Sequence, residues 1–583
     1  MRIQQLLSWQ SIMDVVKLSV RRFPMTIACT IASIVIAMIT FRSNDPAEWL
    51  VRILLGAVLG ISLFVGLKLM AENTFNVPKW KYILGSAGII ILSLYSILID
   101  DPKHPDTLEQ FLVLVLATHL LISFSYFLRI DDNRKFWTFN LEMFVHFVLG
   151  AFYSIVLMAG LQVATIAIQE LFEIHWYKEV HMDIVILVFG LVLTFYWTSK
   201  VTTRVFEASE ESEFSRVIIN MVKYIMIPLI IIYFIILYAY GLRILVLWSL
   251  PKGWVGKLCL GFSAAGIFTY LLNFVLPSYD KNVLLKKFKK YFFYSMIPVL
   301  VLLFVALYVR IHQYGFTVER YLALAAAFWL TLVTFYFILS PKDDLRILPA
   351  SLFFTCVMAA VGPWNAWNHS LKDQIGRWDS LLNRHQLIED GKIVPARIHT
   401  DSLLPDQITS HLYYFQRHNY LGHVLNYFPD TLIAGINQDS IDYSTVEKLR
   451  KYLNIEHWNN SPTVEDGMFR IADSGFFSDS LQNASEVYSL RYWDTKTDAE
   501  KGSISIQDEK YLVFEGYGRI DILKELLQNM PTQQNLLEKE LKLDLSPDDG
   551  KNKFRCIIYH AEFSTSRIFS ISMIIVRYPN VQK

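Results

Sequence analysis

Cysteine is nearly absent from this chain: four in 583 residues, of which Cys29, Cys259 and Cys356 lie inside apolar runs. The fourth, Cys556, has no neighbour to pair with, so the C-terminal part must rest on its own core rather than on disulfides. No cysteine pair has metal-ligand spacing. Charge is also scarce. Asp, Glu, Lys and Arg make up 18% of the sequence, against ~25% in ordinary soluble domains. No basic patch suited to a phosphate backbone occurs, which argues against a nucleic-acid partner. Catalytic signatures are missing as well: there is no G-x-S-x-G elbow, no H-E-x-x-H and no Walker loop. The sequence implies no catalytic residue, no metal and no cofactor.

What the chain has instead is apolar length. Hydrophobic residues make up 53% of it and aromatic residues 14%. A membrane-crossing helix needs ~20 mostly apolar residues, because hydrocarbon offers no partner to a loose backbone N–H or C=O. Segments of that kind stand near 24–41, 50–70, 82–99, 110–129, 141–168, 182–198, 217–240, 254–276, 291–310, 321–340 and 347–368. The first follows Arg21 and Arg22 but ends in Phe-Arg-Ser-Asn-Asp without a small-x-small cleavage site, and so reads as a span and not as a signal peptide. The expected fold is a polytopic α-helical membrane protein of about eleven spans over residues 1–368, followed by a soluble α+β domain over 369–583.

Charge orients the spans. Residues 1–368 hold about 30 Lys+Arg against about 23 Asp+Glu, and residues 369–583 about 24 against about 30. Lys and Arg concentrate in alternate loops, at Arg21, Arg22, Lys79, Lys81, Arg134, Lys135, Lys200, Arg204 and the cluster from Lys281 to Lys290. This places the N-terminus in the cytoplasm. With eleven spans the C-terminal domain is then extracytoplasmic, at a bacterial cytoplasmic (inner) membrane.

Within the spans, ionisable groups are functional candidates by default because burying them is costly. They are few: Lys68, His119, Glu142 and His146, with Gln162 and Asn273 as uncharged polar members. His119 and His146 lie on neighbouring spans and could meet. No mid-membrane Asp or Glu is evident, which disfavours a proton pump built on buried carboxylates. An apparent repeat is more informative. Tyr224 precedes Pro228 by four residues, and Tyr294 precedes Pro298 by four; each Met-Ile-Pro core is followed ten residues later by Tyr238 or Tyr308. Each proline removes one helix hydrogen bond and crowds the carbonyl four residues back. Matched breaks of this kind can frame a transport site, although prolines are also ordinary in membrane helices.

The run Tyr308-Val-Arg310, then Tyr314-Gly315-Phe-Thr317-Val-Glu-Arg320-Tyr321, then Gly362-Pro363-Trp364, resembles the bacterial membrane family catalogued as domain of unknown function 4153. Supporting segments are Tyr238-Ala-Tyr240-Gly241, Pro251-Lys-Gly253-Trp254 and the stretch from Asp379 to Ile393, so the resemblance covers about Tyr224 to Pro429. It implies a multi-pass inner-membrane protein and no agreed activity. Read from the residues alone, the same motif is a junction: Gly315 permits a tight turn, Thr317 can cap the following helix, and Arg310 and Arg320 bracket the loop. Two arginines among tyrosines could bind an anionic group such as a lipid phosphate, or hold the membrane part to the domain that follows.

After residue 369 helical spacing continues in Leu371–Leu387, Ile408–Phe415 and Val446–Leu453, and strand-like alternation follows in Glu486–Trp493, Lys510–Phe514, Lys553–Phe563 and Ile568–Tyr578. A helix is expected at Ile520–Gln528. His411, His418 and His423 cluster without tight ligand spacing, and Cys556 and His560 lie four apart on a strand, hence on one face. Two functions follow: transport or lipid and solute handling near the outer ends of spans seven to eleven, or a structural or sensory envelope protein whose C-terminal domain binds a protein partner. Membrane lipids are partners in either case.

Overall fold

The computed structural model describes residues 9–455 apart from 44, 74–78, 100, 173–177, 202–215, 248–253, 281, 396–397, 399–403 and 434–442; beyond these it describes the strand segments between 486 and 578 named below. The chain divides into two compact units, Met1–His399 with Gln407–Leu453, and Thr400–Asp406 with Asn454–Lys583.

The first unit is helical. It opens with α1 (Trp9–Arg22), which the hydropathy reading did not foresee because the helix is amphipathic, with Asp14, Lys17, Arg21 and Arg22 along it. Then come α2 (Pro24–Arg42), α3 (Glu48–Asn73), α4 (Lys79–Leu98), α5 (Pro105–Ser125) and α6 (Asn133–Phe172). Pro24 and Pro105 occupy first-turn positions, where a missing N–H costs nothing. Next, α7 (Lys178–Leu187) passes through a π-turn at Val188–Leu193 into α8 (Thr194–Lys200), and α9 (Arg216–Met221) passes through another at Val222–Met226 into α10 (Ile227–Leu247). The bundle closes with α11 (Trp254–Asn273), α12 (Val283–Tyr314), α13 (Val318–Leu339) and α14 (Ile347–Ala360).

Among the described residues, ten helices are long and apolar enough to cross a membrane, from Pro24–Arg42 to Val318–Leu339. They stand where the sequence places its first ten spans. The eleventh differs. Expected over 347–368, it is a 14-residue helix that stops at Ala360, about 21 Å long at 1.5 Å per residue, against a hydrocarbon core of ~30 Å. The apolar run continues past the helix end, but Gly362 at φ +95° turns the backbone away, and Asn365 accepts from the Asn368 N–H to start α15 (Ala366–Arg384).

Aromatic packing fills the interior around α11–α13. Phe293 stacks on Phe337 with centroids 4.7 Å apart, Tyr270 meets Phe293 edge-on at 4.7 Å, and Phe234 of α10 meets Phe262 at the same distance. Such contacts suit a bundle in lipid, where association rests on close packing rather than on expulsion of water.

Hydrogen bonds tie helix ends together at two opposite levels. At one, Arg22 pairs with Glu72 at 2.9 Å and donates to the Val201 carbonyl, and Asn73 donates to Tyr126 O at 2.7 Å. At the same level Arg346 donates to the carbonyls of Phe127 (3.0 Å) and Ile130 (2.6 Å) and pairs with Asp131 and Asp344. Burial alone would raise the Asp344 carboxyl, but the hydrogen bonds from the Arg346 side chain and backbone, with the charges of Arg346 and Lys342, together outweigh it and hold the group below the usual range. At the other level, Gln110 near the start of α5 donates to Ala360 O at the end of α14 (2.5 Å). The short helix α14 is therefore bonded at both of its ends to the two ends of the α5 region.

Beyond α15 the first unit carries a small hairpin, β1 (Ile388–Glu389) and β2 (Lys392–Ile393), turned by Asp390 and Gly391, both at positive φ. Helices α16 (Leu404–Arg417), α17 (Asp430–Ile433) and α18 (Tyr443–Tyr452) follow. The second unit contains β3 (Glu486–Trp493), β4 (Lys496–Ala499), β5 (Ile504–Gln507), β6 (Tyr511–Phe514), β7 (Gly518–Asp521), β8 (Leu541–Leu545), β9 (Lys553–Phe563) and β10 (Ile568–Tyr578). They form two antiparallel sheets, ordered β4-β3-β10-β9-β8 and β5-β6-β7. The helix expected at Ile520–Gln528 begins on residues that end β7, and its remainder lies outside the described residues. In β9 the register slips between Ile558 and His560, so Cys556 pairs with Ile575 and His560 with Ser572, three positions apart on β10. That bulge breaks the alternation on which a shared face for Cys556 and His560 depends.

Candidate functional site

The α12–α13 turn gathers the residues the sequence singles out. Gly315 ends α12 at φ +76°, a conformation open to glycine, and a Cβ there would collide with the Arg377 and Asp373 side chains of α15. Thr317 caps α13, accepting from Arg320 N at 3.5 Å. The Arg320 guanidinium turns back onto the carbonyls of Tyr314 (3.3 Å) and Gly315 (3.1 Å). Helix α15 completes the grip. Its Gln374 donates to Tyr314 O (3.0 Å) and Phe316 O (2.9 Å), and its Asp373 accepts from Phe316 N (2.8 Å). Arg377 bonds Asp373 at 3.1 Å and Ile311 O at 3.2 Å. Every carbonyl from Tyr314 to Phe316 thus has a side-chain donor, as a buried turn requires.

The other expected residues surround this turn. The Tyr321 hydroxyl donates to Trp364 O at 2.7 Å, which ties the Gly362-Pro363-Trp364 turn to α13. Arg310 and Arg320 both lie over the Tyr314 ring, each 5.4 Å from its centroid, a cation–π arrangement. Tyr308 is exposed and tilts against His312. Among the described residues Arg310 makes no ion pair.

A second polar cluster lies at the start of α5, and the sequence reading missed it. Asp106 and His418 are both buried, with Asp106 Oδ1 and His418 Nδ1 2.7 Å apart. The Tyr420 hydroxyl donates to Asp106 Oδ2. Asp106 N donates to His104 Nδ1 at 3.2 Å, and the His104 ring stacks on Tyr420. One helical turn on, Glu109 accepts from Trp367 Nε1 at 3.3 Å. The Tyr414 ring lies 4.6 Å from the His418 ring; its hydroxyl is buried with no hydrogen-bond partner among the described residues. Burial pushes that phenol up, and the carboxylates of Glu319, Asp106 and Glu109 push the same way while Arg320 opposes them. Partners 312 residues apart leave no local pattern, so only the i, i+3 acids at a helix start could have hinted at them.

His411 faces elsewhere, between Trp378 and Phe415. Burial lowers its imidazole to about 4, with Arg377 adding to the shift and Asp373 opposing it. His119 and His146 do not meet: His119 bonds its own helix at Val115 O, whereas His146 meets Tyr196 of α8 edge-on.

The paired prolines are not equivalent. The π-turn at Val222–Met226 ends one residue before Ile227-Pro228, so the backbone adjusts there by widening. Pro298 lies inside continuous α12. Next to it, Ser295 O accepts from the Tyr238 hydroxyl of α10 at 2.5 Å. Tyr238, from the first copy of the repeat, thus reaches the turn of α12 before the second copy's proline, one residue past the Tyr294 carbonyl that Pro298 leaves without its helix donor. Tyr224 and Tyr294 are exposed, and Phe234 and Phe292 pack between the two helices at 6.1 Å.

Comparison with known proteins agrees on kinship without supplying an activity. The chain is 26% identical over 235 residues to the uncharacterised protein PM1469 of Pasteurella multocida (strain Pm70), a match that takes in 40% of this chain and 39% of that relative. No solved structure matches. The family described as Domain of unknown function (DUF4153) matches residues 27–371, reaching further toward the N-terminus than the motifs around Gly315. That match covers more than half of a chain built of apolar membrane-length helices, and this multi-pass membrane protein belongs to that family.

Proposed function

We propose that the protein is a non-enzymatic structural or sensory component of the bacterial envelope. In this reading the helical layer α15–α18 is clamped to the ends of the membrane helices, and the C-terminal β-strands form a soluble domain that binds a protein partner. The observation that carries it is the use made of the polar chemistry of the turn: Arg320, Gln374, Asp373 and Arg377 each bond one another or the Ile311–Phe316 backbone. Groups so engaged fix α15 on α12 and α13 and leave little to present to a solute.

We place the chain in the cytoplasmic membrane with its N-terminus inside, and count α14 as an eleventh crossing, which leaves the C-terminal domain outside. Support for the crossing comes from α14 being bonded near Ile130 at one end and at Gln110 at the other. A second reading, transport or lipid handling, draws on Arg310, which lies over the Tyr314 ring without an acidic partner among the described residues and suits a lipid phosphate. Complementation of a deletion strain, scored as sensitivity to detergents and bulky antibiotics, separates the two. The first reading expects residues 1–455 to accumulate in the membrane yet fail to complement, while Arg310→Ala complements. The reverse result favours lipid or solute handling.

A further inference from the structure

Asp106, Glu109 and His418 can each offer one ligand atom within 4.8 Å of the other two. We propose that they form a binding site for a divalent transition-metal ion, with Zn2+ the best fit. The inference goes beyond the functional reading above and holds for either version of it.

Three observations carry the inference. The donor set is one imidazole and two carboxylates, which is mixed nitrogen and oxygen chemistry of the kind zinc accepts, with a fourth position left for water. Mg2+ and Ca2+ prefer all-oxygen shells. The carboxylates are also steadied from behind. Tyr420 donates to one oxygen of Asp106, and Trp367 Nε1 donates to Oε2 of Glu109, as outer partners commonly do around a metal. Finally, carboxylates outnumber the imidazole within the donor set itself. Two carboxylates face one imidazole at a place where Asp106 is 7% and His418 2% exposed, and the buried Tyr414 hydroxyl beside them has no hydrogen-bond partner among the described residues. A bound cation would offset the desolvated negative charge, and its water would give the Tyr414 hydroxyl a partner.

The competing possibility is a purely structural Asp106–His418 ion pair, and Glu109 separates the two. It takes no part in the 2.7 Å contact between Asp106 and His418, yet a metal site needs it. The experiment uses the full-length chain purified in detergent, stripped with a chelator and dialysed against Zn2+ alone, with bound metal counted by elemental analysis. One equivalent is expected, with affinity at least tenfold weaker in Glu109→Gln and lost in Asp106→Asn. Absence of saturable uptake, or uptake unchanged in both variants, overturns the proposal. Should either variant fail to elute as a monodisperse species, Co2+ bound to the wild-type chain decides. Visible d–d bands of a nitrogen and oxygen site support the assignment, and a thiolate charge-transfer band or no bands at all overturns it.

Discussion

At Gly315 a single hydrogen atom in place of a side chain lets α12, α13 and α15 meet. With φ at +76° and the Arg377 and Asp373 side chains over the α-carbon, a methyl group meets strained backbone and a steric clash together. Gly315→Ala should cost about 1–3 kcal/mol or more, read as a lowered thermal midpoint in detergent. Thr317→Ala, which removes only a cap, should cost about 1 kcal/mol. His411 supplies a pH test. Its imidazole titrates near 4 in the folded chain and near 6.5 when unfolded, so the unfolded state binds the extra proton first as pH falls. Stability should be complete above about pH 6.5 and decline between there and about pH 4, by a few kcal/mol at most. In His411→Gln that portion of the decline disappears, which thermal midpoints measured from pH 7.5 to 4 would register.

Among the elements, α10 and α12 show what the proline repeat does. The Tyr238 hydroxyl of α10 donates to the Ser295 carbonyl of α12, so Tyr238→Phe should destabilise the bundle by about 1 kcal/mol. Pro298→Ala restores a backbone donor to the Tyr294 carbonyl and not to that of Ser295, so in that background Tyr238→Phe should cost about the same. A double-mutant cycle on thermal midpoints should be additive within about 0.5 kcal/mol, and a larger coupling would show that the proline opens the Ser295 carbonyl as well. Sequence periodicity located both helices and both prolines, because each is a local property. It could not show that one copy's tyrosine bonds the other copy's helix, since that depends on which faces pack. The amphipathic α1 escaped for a related reason: apolar runs were sought, and Trp9–Arg22 is interrupted by charge. Conversely, the apolar stretch after Ala360 read as helix, although Gly362 and Pro363 already signalled a turn within it.

For the whole molecule, Thr317 and Gly315 were legible as a junction from residue type alone, whereas the Asp106–His418 contact required the fold to bring α5 and α16 together. The second unit contributes strands at segments where alternation predicts them, including Glu486–Trp493 and Ile568–Tyr578. Which side of the membrane they occupy turns on α14, and a reporter fused after Lys583 tests that directly: activity of a periplasmic reporter is expected, and a cytoplasmic signal would mean ten crossings. Arg346 is the residue to vary alongside it. Its donors hold the Phe127 and Ile130 carbonyls and two carboxylates, a fork that lysine cannot reproduce. Arg346→Lys should lower the thermal midpoint, and Arg346→Ala should lower it further.

The pairing of α14 with α5 bears on how the chain is made. A 14-residue segment is too short to be taken up on hydropathy alone, so its place would be decided by an already inserted neighbour synthesised more than two hundred residues earlier. Biogenesis would then finish late, when Gln110 and the Ile130 carbonyl receive the two ends of α14. Weakening either grip should yield a mixture of chains with their C-termini on opposite sides of the membrane, because the last decision in assembly is made by packing and not by the insertion machinery.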